Sequence, residues 1–261
     1  MSANAGGVEA PDSFAVVQRF PNHPLFTPGD VRLPVSLANA AGNLSDGPAT
    51  LKGWIEDFDG KRIADIAATR RAVGIDVPYW EVRANLPKAL VYTLRFEGDD
   101  GYGATFELYE ETDVVSPLTG SELQPFDTPT VADHRGVEPY CSLTPAPCPL
   151  HDVTLTDALA SGTLVAYMIG TPAHCTTGTC APGLEFLVTE HARVGDVITM
   201  VHADVYADDA ATTVAPAVVA LNVDYEPIIY FCTADGVIVD RLDGIWDASE
   251  LTERIDLLLA R

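Results

Sequence analysis

Five cysteines carry most of the chemistry this sequence offers: Cys141, Cys148, Cys175, Cys180 and Cys232. They fall as two close pairs and a singleton. The thiolate, not the thiol, attacks disulfides and binds soft metals, so the question is which sulfur is made acidic and which has a mate within reach. Cys175 lies just beyond an apolar run at 163–170 and just before helix-forming sequence that begins near Ala181. Where a buried strand hands over to a helix, unpaired N–H groups and the helix dipole stabilise a thiolate and lower its pKa from about 8.5. Cys175 therefore fits the attacking role and Cys180 the resolving role in thiol–disulfide exchange. Five residues at ideal helical spacing set side chains about 140° apart, so a bridge between the two requires a non-helical first turn. Gly178 and the flanking threonines allow one.

The other pair, Cys141 and Cys148, sits in a Pro-rich stretch that runs on to Pro149, Leu150 and His151. The expected role is a disulfide that pins a loose segment, worth about 2.5 kcal/mol by loop entropy. A zinc or copper site from Cys141, Cys148 and His151 is the alternative. Against it, the spacing does not match a Cys-x2–4-Cys knuckle, and no second Cys/His pair is local. Cys232 lies inside an apolar run and reads as a buried, inert thiol. His174, beside Cys175, is either a tuning imidazolium or a solvent-exposed neighbour. Asp57 and Asp59 before Gly60 begin like a calcium loop, but the later acidic ligands are missing, so a hairpin turn is the better reading. His23 belongs to a Pro-rich leading loop.

The elements that must position these residues divide at mid-chain. The chain has 261 residues, 47% of them hydrophobic, enough for two cored domains. It carries 15 Lys+Arg against 38 Asp+Glu, a net charge of −23, which disfavours nucleic acid and anionic membrane surfaces as partners. No apolar run approaches the ~20 residues of a transmembrane helix, so no membrane insertion is expected. From residue 96 onward the basic side chains are Arg135, Arg193, Arg241, Arg254 and Arg261, so few cations are available to an anionic substrate there.

Residues 12–112 show short runs that alternate apolar and polar and are separated by turn chemistry, at 31–37, 50–55, 79–86, 90–96 and 104–109. This is the pattern of an all-β, immunoglobulin-like sandwich. Residues 113–150 read as a Pro-rich connector carrying the expected disulfide. From 151 to 261 the periodicity changes. A short helix at 153–162, buried strands at 163–170 and 197–204, helices at 181–191 and 211–222, a hairpin of 228–232 with 237–242, and a closing helix at 248–259 predict a mixed sheet with helices on both faces.

This second half resembles the thioredoxin-like superfamily. The resemblance rests on the apolar strand leading to a cysteine at a helix start, on Glu226-Pro227-Ile-Ile-Tyr-Phe before a hairpin, and on the stretch from Gly236 to Gly244. It implies an α/β thioredoxin-like domain in which Pro227 is cis and faces the redox cysteines. It also implies a polar residue beneath the redox pair, which by position is His202, as a proton relay for the resolving thiol. The four residues between Cys175 and Cys180 depart from the family's usual two and leave the direction of electron flow open. The same string is similar to one class of peroxiredoxins, but Pro172 stands where those enzymes need a Thr or Ser. A copper-delivering relative of oxidase-assembly proteins would use Cys175, Cys180 and a downstream histidine, and none follows His202.

The expectation is an extracytoplasmic thiol–disulfide oxidoreductase, its export signal absent from this sequence, with Cys175, Cys180, Pro227 and His202 as site residues. It uses no cofactor or metal, and its substrates are protein thiols and disulfides. The competing expectations are a non-catalytic binding or assembly module with a structural disulfide, and a thiol peroxidase.

Overall fold

Alternating burial along short strands organises the first half of the chain. A computed structural model describes residues 13–22 and 24–261, so His23 and the assigned boundary at residue 12 lie outside the described residues. Two units emerge, Met1–Val114 and Val115–Arg261.

In the first unit the strands are β1 (Ala15–Gln18), β2 (Gly29–Asn39), β3 (Gly42–Asn43), β4 (Thr50–Asp57), β5 (Arg62–Arg71), β6 (Tyr79–Leu86), β7 (Val91–Phe96) and β8 (Ala104–Glu107). They form one antiparallel sheet in the order β1-β2-β6-β5-β4-β7-β8, with β3 paired to β2. The Gln18 side-chain amide donates to Thr105 O at 2.8 Å, so the two ends of that path meet and the sheet curls into a barrel-like sandwich. On β7, Tyr92, Leu94 and Phe96 are buried at every second position, as period-two packing requires. Leu90 was expected on that face but precedes the strand and is exposed. On β2 the run from Val31 to Leu37 is buried throughout, Arg32 included, so both faces are covered where alternation predicted a wet one. The Asp57 carboxylate accepts N–H bonds from Asp59 and Lys61, and Gly60 takes φ +76°, which makes this segment the β4–β5 hairpin turn.

Trp80 anchors this core. It is fully buried, its indole N–H donates to Pro48 O at 2.9 Å, and its ring packs so closely on Gly47 that a methyl there would come within 2.7 Å. Trp80→Ala is therefore expected to cost about 3–5 kcal/mol, measured by urea denaturation of the full chain. A loss below about 1 kcal/mol, the size of a surface change, would contradict this assignment of the core.

The second unit is mixed α/β. Its elements are α1 (Leu155–Ala160), β9 (Leu164–Ile169), α2 (Cys180–Val194), β10 (Ile198–Ala203), α3 (Pro216–Leu221), β11 (Ile228–Cys232), β12 (Ile238–Asp243) and α4 (Ala248–Leu259). The sheet order is β10-β9-β11-β12, with β10 parallel to β9 and the other pairs antiparallel. The parallel pair is joined through α2, the crossover such a pair needs. Ala166 and Met168 of β9 face Leu184, Leu187, Leu251 and Ile255 of α2 and α4. Val165, Tyr167 and Ile169 face Leu155, Ala158, Ala217 and Leu221 of α1 and α3. A strand covered on both faces has no polar alternation, which is why β9 reads as a continuous apolar run.

Two expectations change. The helix expected over 211–222 is confined to Pro216–Leu221. The Asp208 carboxylate holds Ala210, Thr212 and Thr213 in a turn through their N–H groups, and Pro216 stands where a helix can only begin. The stretch expected as a connector belongs to the second unit from Val115 onward. Beside local turns such as Ser121 N–H to Leu118 O and Val137 N–H to His134 O, its backbone pairs with sheet edges and loops: Leu123 N–H donates to Gly236 O, Ile238 N–H to Ser121 O, and His202 N–H to Leu150 O. No helix among the described residues is long and apolar enough to cross a membrane.

Candidate active site

Thr171–Thr179 links the end of β9 to the start of α2 without helical structure. Gly178 at φ +68° makes the turn, a left-handed conformation that a side chain would strain. This is the non-helical passage that five-residue spacing demands. Cys180 is the first residue of α2 and is buried, whereas Cys175 is half-buried one turn earlier. Both are free thiols, and their sulfurs and a Glu226 carboxylate oxygen lie within 4.8 Å of one another.

The electrostatics separate the two sulfurs. The hydrogen bond from the Cys180 thiol is the largest influence on Cys175. Burial opposes it, but the Thr177 hydroxyl at 3.2 Å and the N–H groups of Cys180 and Thr179 add to it, and together they hold the Cys175 thiol down at about 4. That same bond to Cys175, then burial and the charge of Glu226, push Cys180 well above an ordinary thiol. The dithiol therefore keeps its proton on Cys180 and presents Cys175 as the thiolate. Alkylation of Cys175 tracks its thiolate fraction, so its rate should rise through about pH 4 and be level by neutral pH. Peptide mass spectrometry after iodoacetamide pulses measures this, and half-maximal labelling near pH 8–9 would contradict it. Cys232, with its thiol pushed up to about 12 by burial in β11, should stay unlabelled in the folded chain.

Pro227 immediately precedes β11 and follows a cis Glu226–Pro227 bond. A methyl built on Gly170 would sit 3.2 Å from Pro227 Cβ and 3.5 Å from Cys180 Cβ, so Gly170, Pro227 and Cys180 form one close-packed floor. Glu226 is the residue the sequence reading missed. Its Oε2 accepts the Thr171 N–H at 2.5 Å and lies 3.4 Å from Cys180 Sγ, a second acceptor in reach of the one thiol proton that Cys180 directs to Cys175. Burial, followed by the Cys175 charge, raises its carboxyl above the usual carboxylate range despite the Thr171 bond. The only sequence signal was its place immediately before Pro227.

No protein-family model matches the chain, and a search of curated proteins returns no match. Geometry therefore carries the site by itself.

His202 does not lie beneath the redox pair. Its Nε2 faces Gly170 O at 2.8 Å, and its Nδ1 faces Cys141, Cys148 and His151. It sits on β10, the outer neighbour of β9, whereas the carboxylate that reaches Cys180 comes from the loop before β11 on the other side of β9. The titratable group hydrogen-bonded to Cys180 is thus Glu226, whereas the ring nitrogens of His202 face Gly170 O and the Cys141, Cys148 and His151 cluster. Cys141 and Cys148, expected as a disulfide, are free thiols with His151 and His202 closing around them. His174 packs edge-on against Tyr206 at 5.9 Å.

Proposed function

We propose that the second unit is a thioredoxin-like thiol–disulfide oxidoreductase acting on protein thiols and disulfides outside the cytoplasm, with the first unit as an immunoglobulin-like module that spaces or displays it. The single observation behind this reading is the Cys175 and Cys180 sulfurs lying within 4.8 Å of each other at the approach to α2, with the half-buried Glu226 carboxylate 3.4 Å from Cys180 Sγ. Sheet order, helices on both faces and a cis proline beside the pair are consistent with it. The extracytoplasmic location rests on fold-level analogy alone.

In the reducing direction the Cys175 thiolate attacks one sulfur of a substrate disulfide, forms a mixed disulfide and expels the other substrate sulfur as a thiolate. Cys180 then gives its proton to Glu226 and attacks the Cys175 sulfur. The Cys175–Cys180 bond forms, the mixed bond breaks, and the second substrate thiolate leaves. Two electrons have passed from the pair to the substrate. The reverse sequence oxidises a substrate dithiol.

A peroxidase needs an arginine at the peroxide, and four of the five in this unit are ion-paired elsewhere. Arg135 pairs with Asp127 and Asp133, Arg193 with Glu190 and Asp256, Arg241 with Asp243, and Arg254 with Asp240 and Glu253. The test mixes the reduced full chain with a disulfide-bonded peptide and follows both partners by mass. Stoichiometric peptide reduction with appearance of the Cys175–Cys180 bond supports the proposal. No transfer, or rapid turnover of hydrogen peroxide in its place, overturns it.

A further inference from the structure

We propose that Cys141, Cys148, His151 and His202 form a closed, tetrahedral zinc centre of the second unit. This does not depend on the redox reading, because the Cys175 and Cys180 sulfurs take no part in it.

The four side chains are buried, and one ligand atom from each lies within 4.8 Å of all the others. His202 Nδ1 is 3.8 Å from Cys141 Sγ, 3.7 Å from Cys148 Sγ and 3.2 Å from His151 Nε2. With Zn–S near 2.3 Å and Zn–N near 2.0–2.1 Å, the edges of a regular tetrahedron come to about 3.5 Å for S···N and about 3.3 Å for N···N. The three edges that meet at His202 already have those dimensions to within a few tenths of an ångström, and the remaining ones lie within 4.8 Å.

Hydrogen bonding fixes which nitrogen points inward. His151 Nδ1 meets Pro129 O at 3.2 Å and His202 Nε2 meets Gly170 O at 2.8 Å. A carbonyl only accepts, so each outer nitrogen carries the hydrogen and each inner one presents its lone pair. Two lone pairs facing each other at 3.2 Å, walled by two sulfurs and sealed from water, repel one another. A dication at the centre turns all four contacts into bonds. Carbonyl-fixed tautomers of this kind surround metal-bound histidines. A Cys141–Cys148 disulfide would leave the two nitrogens confronting each other without a cation.

Two thiolates and two imidazoles in tetrahedral array select zinc, and four protein ligands in a buried site leave no position for water, so the centre is structural. The Cys148 N–H also donates to Cys141 Sγ at 3.3 Å, as suits a sulfur carrying negative charge. The backbone beside Cys141 is held independently, because Asp204 accepts the Ser142 N–H at 2.6 Å and the Ser142 hydroxyl at 3.1 Å. Spacing hid the site: the ligands run Cys-x6-Cys-x2-His, and the fourth comes from β10, 51 residues after His151.

The full chain is analysed for zinc and then exchanged into Co(II). The expected result is about one zinc per chain and a tetrahedral cobalt spectrum with a thiolate charge-transfer band. Both should survive in Cys175→Ser/Cys180→Ser and disappear in Cys141→Ser/Cys148→Ser. The unmodified chain gives a second readout that needs no core substitution: stripping metal with EDTA should expose Cys141 and Cys148 to alkylation, and added zinc, but not magnesium, should protect them again. A native Cys141–Cys148 disulfide, a metal-free chain that gives no thiolate–cobalt band, or metal lost with Cys175 and Cys180 would each overturn the proposal.

Discussion

Cys175→Ser is expected to abolish exchange with a disulfide-bonded peptide, a drop of at least about 10³-fold, because a serine oxygen cannot replace the thiolate as nucleophile or accept the sulfur–sulfur bond. Cys180→Ser is expected to behave differently. Cys175 remains half-buried with the Thr177 hydroxyl and the amides of residues 179 and 180 around it, so the first attack still proceeds. With no resolving sulfur, the chain should stop as a Cys175–substrate mixed disulfide. Its Cys175 should also titrate higher than in the parent, since the Cys180 thiol is the largest contribution to its acidity. Intact-mass analysis of the quenched reaction distinguishes the two variants. Equal, undiminished turnover by both would contradict the assignment of roles.

Glu226→Gln is expected to slow resolution of the mixed disulfide by about 10²-fold while leaving the first attack nearly unchanged. The amide oxygen can still accept the Thr171 N–H, so the loop should stay in place, but it cannot take the Cys180 proton. The pH dependence supplies the sign. Resolution in the parent needs Glu226 ionised, and partial burial holds its carboxyl above the ordinary range. The parent rate should therefore fall as pH drops through that raised value, and the Gln variant should lose this limb. Single-turnover kinetics with mass detection read both steps. A Gln variant that resolves at the parent rate with the parent pH profile would show that Glu226 is not the proton acceptor.

What could be read from the sequence follows from which signals are local. The strands β9, β10 and β11 are short and mostly apolar, β12 follows β11 across a tight turn, and α4 has its apolar face at helical spacing, so each was legible within a residue or two. The Cys175/Cys180 pair was legible because both residues belong to one strand–helix passage. Strand β5 was missed, since six of the ten residues of Arg62–Arg71 are Ala or Arg, which have little strand preference, and its burial of Ile66 and Ala68 depends on neighbours. Residues 115–150 have no period because their backbone bonds are divided between local turns and partners far along the chain, so composition alone reads as linker. His202 was placed correctly on its strand but given the wrong company. Which face a strand residue meets is local, but what is packed against that face is not. Glu226 shows the converse, a residue whose contact with the first residue of α2, Cys180, spans 46 positions in sequence.

The equilibrium between the full chain and a glutathione redox buffer tests the central claim most directly. A thiolate held down at about 4 stabilises the reduced pair and makes its disulfide a ready oxidant. The account predicts a reversible Cys175–Cys180 couple at roughly −200 to −100 mV. A bond that forms but resists reduction below about −300 mV, or no bond at all between these two sulfurs, would contradict it.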